Sequence, residues 1–160
     1  MAWLLMLCLA GADAEALVGQ LRAVKGPPGQ VEVLLKGAAK ETPLVGDLCA
    51  ELVHLQSARV EVLGRFNEAR FRVEGYRILD VGGGGRPMVG TLVRLGNGVG
   101  LRDGDAGSIL PLSAAPRSKA RLLDNVNNKV WLLGKKLVSG ELQVLRYGVL
   151  RGAAGDKDNG

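Results

Sequence analysis

The sequence predicts a mainly β chain of two tandem five-stranded barrels joined by a glycine-rich linker, and three observations carry that prediction. The first is an internal repeat. Val73-Glu74-Gly75-Tyr76-Arg77-Ile78-Leu79 returns as Val144-Leu145-Arg146-Tyr147-Gly148-Val149-Leu150, and Leu17-Val18-Gly19-Gln20-Leu21 falls on Met88-Val89-Gly90-Thr91-Leu92 at the same shift of 71 residues. A period this long marks duplicated domains rather than a solenoid. The second is that both copies give one order of elements: three strands, a short helix, two strands. The third is composition: 47% hydrophobic and 23% charged residues suit a folded globular chain. Modules this small bury only about 60% of the surface that their unfolded chains expose. The two are therefore expected to share an interface, or the chain to self-associate.

Residues 1–14 stand outside the repeat and read as a signal peptide. An apolar run from Leu4 to Ala10 is followed by Ala12-Asp13-Ala14, the small-x-small pattern that a leader peptidase recognises, so the mature chain is expected to begin at Glu15. The run is much shorter than the ~20 residues of a membrane-spanning helix. It lacks a preceding Lys or Arg, and Leu7 is too bulky for a lipoprotein reading at Cys8. Loss of the leader leaves Cys49 alone, so no intramolecular disulfide forms; amid Leu48, Leu52 and Val53 it reads as a small buried hydrophobe.

The first repeat occupies residues 15–80. Ala16 to Val24 is a strand, Lys25-Gly26-Pro27-Pro28-Gly29 a turn, and Gln30 to Lys36 a second strand alternating through Val31, Val33 and Leu35. A short third strand surrounds Pro43-Leu44-Val45. Asp47 is placed to cap a helix whose Leu48, Leu52 and Leu55 share a face. Arg59 to Arg65 and Arg70 to Leu79 complete the set. Residues 81–87 form the linker; Gly82-Gly83-Gly84-Gly85 lacks the Lys-Ser/Thr and the following helix of a phosphate loop.

The second repeat occupies residues 88–151 and repeats the order. Its strands are Val89 to Leu95, Val99 to Arg102, Ser108 to Leu112, Lys129 to Gly134 and Glu141 to Arg151, with Ser118 expected to cap a helix carrying Leu122, Leu123 and Val126. Asp103-Gly104-Asp105 reads as a hairpin turn; with Ala at position 114 it has no Glu to close a calcium loop. The tail, residues 152–160, reads as disordered.

This order, with a glycine early in the first strand, resembles the oligonucleotide/oligosaccharide-binding (OB) barrel in both repeats. More loosely the chain is similar to small exported bacterial OB-fold proteins of the periplasm. The resemblance implies an OB-like fold and a periplasmic or extracellular location, and it assigns no functional residue. The last strand of each copy adds a detail. Phe71 and Val73 are out of phase with Tyr76 and Ile78, as Leu142 and Val144 are with Tyr147 and Val149, which predicts a bulge near Gly75 and Arg146 that bends the strand into a closing barrel. The two tyrosines are read as structural.

Charge separates the copies. Residues 15–80 carry nine Lys/Arg and nine Asp/Glu, whereas residues 81–151 carry eleven and four. The candidates for a basic ligand-binding surface are Arg94, Arg102, Arg117, Lys119, Arg121, Lys129, Lys135 and Lys136. Such a field attracts an anionic ligand, an anionic envelope component or an acidic protein face. Nucleic acid is the alternative partner, but single strands are held by aromatic platforms, and the second and third strands of both copies contain none. His54 is the only histidine, which leaves no material for a His-based metal site or a Ser-His relay. The reading is a non-catalytic binding or scaffold protein of the bacterial cell envelope that needs no cofactor or metal.

Overall fold

The computed structural model describes residues 14–25, 31–104 and 107–152. The expected leader up to Asp13, the Pro27-Pro28 turn, Asp105-Ala106 and the tail from Ala153 lie outside the described residues. The chain is predominantly β. The first repeat contains β1 (Glu15–Lys25), β2 (Val31–Lys36), β3 (Glu41–Val45), α1 (Cys49–Leu52) running on into a 3-10 turn (Val53–Leu55), β4 (Arg59–Asn67) and β5 (Arg70–Asp80). The second contains β6 (Met88–Leu95), β7 (Gly98–Arg102), β8 (Ile109–Ser113), α2 (Pro116–Asp124), β9 (Lys129–Lys136) and β10 (Leu142–Arg151).

Each set closes on itself. The order β1-β2-β3-β5-β4 returns from β4 to β1, and the second set closes through the equivalent pairs. All neighbours are antiparallel except one short parallel contact in each barrel, Leu44 with Phe71 and Leu142 with Leu112. Alternation explains the interior: Val33, Leu35, Val60, Val62 and Phe71 fill the first barrel, and Leu92, Leu101, Val130 and Leu132 the second. Closure removes exposed sheet edges.

The irregular positions repeat as faithfully as the core. Glu74 is skipped between the pairs Leu63–Gly75 and Gly64–Val73, and Leu145 between Leu133–Arg146 and Gly134–Val144. These are the bulges anticipated from the broken alternation, next to Gly75 and Arg146. Ser57 and Asn127 both adopt positive φ, at 68° and 72°. Their N–H groups donate to the carbonyls of Leu21 and Leu92 at 2.9 and 2.8 Å, tying the end of each helical segment to the first strand of its barrel. Gly19 is required because a Cβ there would lie 2.6 Å from the carbonyl oxygen of Lys36 on β2.

Two expectations about helix starts are corrected. Leu48, not Asp47, is the residue before α1, and no side chain caps it. In α2, Pro116 opens the first turn after Ala115, which leaves Ser118 inside the helix. Proline needs no N–H partner there and its fixed φ suits the position, so it starts the helix earlier than a serine cap would. On β2, β3, β7 and β8, Val33, Leu35, Leu44, Val99 and Leu101 point into the barrels. The outer face of β7 and β8 is formed by Gly98, Gly100, Arg102, Ile109 and Pro111, without an aromatic ring.

The barrels share an interface. Trp131 and Leu150 of the second repeat belong to the buried cluster of the first, with Val89 and Leu133 packed against its edge. Thus the outer surface of β6, β9 and β10 sits on the helical end of the first barrel. Trp131 is 9% exposed. Burying an aromatic side chain of this size is the largest single apolar contribution available to such a contact.

Candidate functional site

The same helical end is present on both barrels, but it is used differently. In the first barrel it is covered by the second. Glu51, on α1, is 2% exposed and sits at the centre of the junction. Its Oε2 accepts from the Tyr76 hydroxyl at 2.5 Å and from Lys129 Nζ at 2.6 Å, while Arg151 approaches Oε1 at 3.6 Å. Burial pushes the carboxyl pKa up, but the hydrogen bonds from Lys129 and Tyr76 and the charges of Lys129 and Arg151 together outweigh it, so the net direction is down. Burial, followed by the hydrogen bond to Glu51 and its charge, holds the Tyr76 hydroxyl far above its ordinary range. Lys129 Nζ also lies 5.4 Å from the centre of the Tyr76 ring. Glu51 is a buried charge with its partners in place, the arrangement in which such a group is tolerated.

Among the described residues, no other module covers the equivalent end of the second barrel. Counting back equally from Ser57 and Asn127 aligns Asp47 with Arg117 and Glu51 with Arg121. The two acids of the first barrel are replaced by two arginines. Arg117 and Arg121 are exposed and one helical turn apart on the same side of α2. Lys119 is exposed on the same helix, and Leu122, 1% exposed, anchors it in the core. Among the described residues none of these three cations is in an ion pair with an acid, whereas Arg22, Arg65 and Arg77 of the first barrel pair with Glu41, Glu74 and Glu61.

The remaining basic positions do not join α2 in one continuous element. Arg94 and Arg102 are exposed near the ends of β6 and β7, and Lys135 and Lys136 near the end of β9. Lys129 is corrected: its charge is engaged by Glu51 in the junction, so it is not part of a free basic surface. The sequence singled out Tyr76 as a structural residue but did not single out Glu51, its partner. The available signal was the change from Glu51 to Arg121 at a repeated helix position, visible only when the shift is reduced from 71 to 70 residues across the helix.

The other features have less chemistry. A cleft of about 420 Å³ lies beside the junction and is lined by Leu48, Tyr76, Arg77, Arg86, Val89 and Lys129, among others. Two of its three cations are already paired with Glu51 and Glu61. Cys49 is half-buried, and burial raises its thiol pKa, the opposite of what a nucleophile requires. Among the described residues no group of His, Cys, Asp and Glu is arranged to hold a metal ion, and no helix is long and apolar enough to cross a membrane.

No protein-family model matches the chain, and no curated protein is recognisably similar to it.

Proposed function

We propose that this is a non-catalytic binding or scaffold protein of the bacterial cell envelope, built from two OB-like barrels, whose second barrel meets an anionic ligand or an acidic protein face through α2. The strand order β1-β2-β3-β5-β4, with a helical segment between β3 and β4, supports the OB-like reading in both copies. The observation that carries the binding assignment is the charge inversion at one repeated surface, Asp47 and Glu51 becoming Arg117 and Arg121. An anionic partner recognises two neighbouring guanidinium groups with fixed fork geometry. Single-stranded nucleic acid fits less well, because the outer face of β7 and β8 offers glycine, proline and isoleucine where bases need aromatic platforms.

The test is a titration with two labelled polyanions, a heparin oligosaccharide and single-stranded DNA, across a series of salt concentrations. Binding of heparin without a preference for DNA is expected, and Arg117→Glu/Arg121→Glu should lower the salt dependence by about two contacts. Unchanged binding in that variant would remove α2 from the account. Export is tested separately by fractionation and N-terminal sequencing; a chain outside the cytoplasm beginning at or near Glu15 is expected, and a cytoplasmic chain that keeps Met1 would contradict it.

A further inference from the structure

The contact between the barrels is head to tail: the β6, β9 and β10 surface of one module meets the helical end of the other. Such a heterologous contact forms an open chain of subunits if the free head and free tail retain the same chemistry. Here neither does. Strand register identifies the corresponding head positions without ambiguity. Val89, Trp131 and Gly148 lie side by side in the second barrel, and Val18, Glu61 and Arg77 lie side by side in the first. Likewise Lys129 pairs with Arg151, and Arg59 with Asp80.

On the free head, the Trp131 indole packed over Gly148 is thus replaced by an ion pair between Glu61 and Arg77. Arg151 is replaced by Asp80. On the free tail, Leu48, Cys49 and Glu51 become Ser118, Lys119 and Arg121. Stacking a second copy in the same geometry would set Arg59 against Arg121 where Lys129 meets Glu51 at 2.6 Å, and only the more distant position, where Arg151 approaches Glu51 at 3.6 Å, would become attractive, through Asp80. It would also desolvate the Glu61–Arg77 pair where the Trp131 indole fills the existing junction, a cost that Coulomb attraction does not recover. The apolar rim of the head is kept, with Val18 42% and Leu63 43% exposed and Leu79 in the place of Leu150, so what has changed is its centre.

We infer that the head-to-tail contact closes once per chain, and that Glu61–Arg77 on the outer face of β4 and β5 and Ser118, Lys119 and Arg121 on α2 are caps that exclude a second copy. The caps act as polar terminal faces do in repeat arrays. They leave the α2 surface open to a different partner while preventing filament growth through it.

Sedimentation velocity on the full chain tests this directly. The wild type is expected to sediment as one chain from micromolar to near-millimolar concentration; concentration-dependent association would overturn the inference. Two complementary variants test the chemistry of the caps. Glu61→Trp/Arg77→Gly/Asp80→Arg restores a head, and Ser118→Leu/Lys119→Ala/Arg121→Glu restores a tail. Each alone is expected to remain monomeric, and an equimolar mixture to form a one-to-one dimer. With folding of each verified by circular dichroism, a mixture that stays monomeric would show that these residues are not what limits the contact. If the head variant does not fold, Glu61→Ala mixed with the tail variant gives the same comparison: weak dimerisation is expected, and its absence counts against the caps.

Discussion

Replacing Lys129 by methionine tests the junction at its most sensitive point. The substitution conserves the side-chain stem and removes the ammonium, leaving Glu51 buried with the Tyr76 hydroxyl and a more distant guanidinium at 3.6 Å. Breaking a buried ion pair by removing one partner costs about 3–5 kcal/mol. Because Arg151 still contributes, about 3 kcal/mol is expected, which corresponds to a fall in Tm of roughly 6–12 °C for a chain of this size. The reciprocal change is milder. Glu51→Gln keeps the shape and still accepts from Tyr76, while Lys129 and Arg151 can reach water; about 1 kcal/mol is expected. The decisive quantity is the double variant, Glu51→Gln/Lys129→Met. With the buried charge gone, it should be more stable than Lys129→Met alone by about 1–2 kcal/mol, a strong departure from additivity. Urea denaturation of the four proteins at neutral pH measures the cycle. Additive losses, or a Lys129→Met variant no less stable than Glu51→Gln, would refute the view that Glu51 is a buried charge held by Lys129.

The other predictions follow from the same contacts. Trp131→Ala should cost about 3–5 kcal/mol and open the junction, so that proteolysis within residues 81–87 becomes faster than in the wild type; unchanged cleavage would mean that the barrels hold together without the indole. Acid should weaken the junction specifically. Because the folded-state pKa of Glu51 lies below its unfolded value of about 4.3, its contribution is complete above that pH and is lost as pH falls through the folded pKa. The acid limb of a stability profile should therefore be shallower in Glu51→Gln than in the wild type. Tyr76 acts in the opposite range: its raised pKa stabilises the fold below about pH 10 and loses effect as the unfolded tyrosine ionises above it, a fall that Tyr76→Phe should lack. Gly19→Ala should destabilise the first barrel by at least about 1–3 kcal/mol, since the added methyl meets a β2 backbone carbonyl that cannot rotate away; near-wild-type stability would show that β1 and β2 can separate locally.

Much of the fold was legible because the duplication allows each element to be checked against its copy. The same order of strands and helix emerged twice, and the phase break between Val73 and Tyr76 reappeared between Val144 and Tyr147, which located both bulges. Helix starts were less legible. Asp47 and Ser118 have the chemistry of caps, but α1 is a short segment without a side-chain cap, and Pro116 fixes the start of α2 before Ser118 is reached. Alternation marked Val33 and Leu35 as one face of β2, which the barrel buries, while Val31 at the strand's start stays exposed. The junction was the least legible part. Glu51 on an apolar helix has no meaning until Lys129, 78 residues later, arrives beside it through closure and docking of the second barrel. Counting charge picks out basic residues without their places: it groups Lys129, whose charge the fold sets against Glu51, with Arg117, Lys119 and Arg121 on α2.

The most direct test of the account is a residue-resolved map of where a polyanion meets the protein. In a heparin titration followed by amide chemical shifts, the account predicts perturbations centred on Arg117, Lys119 and Arg121, with the outer face of β7 and β8 and the Glu61–Arg77 surface silent. Perturbations centred on Gly100, Arg102 and Ile109 with α2 unaffected, or no saturable perturbation at all, would contradict it.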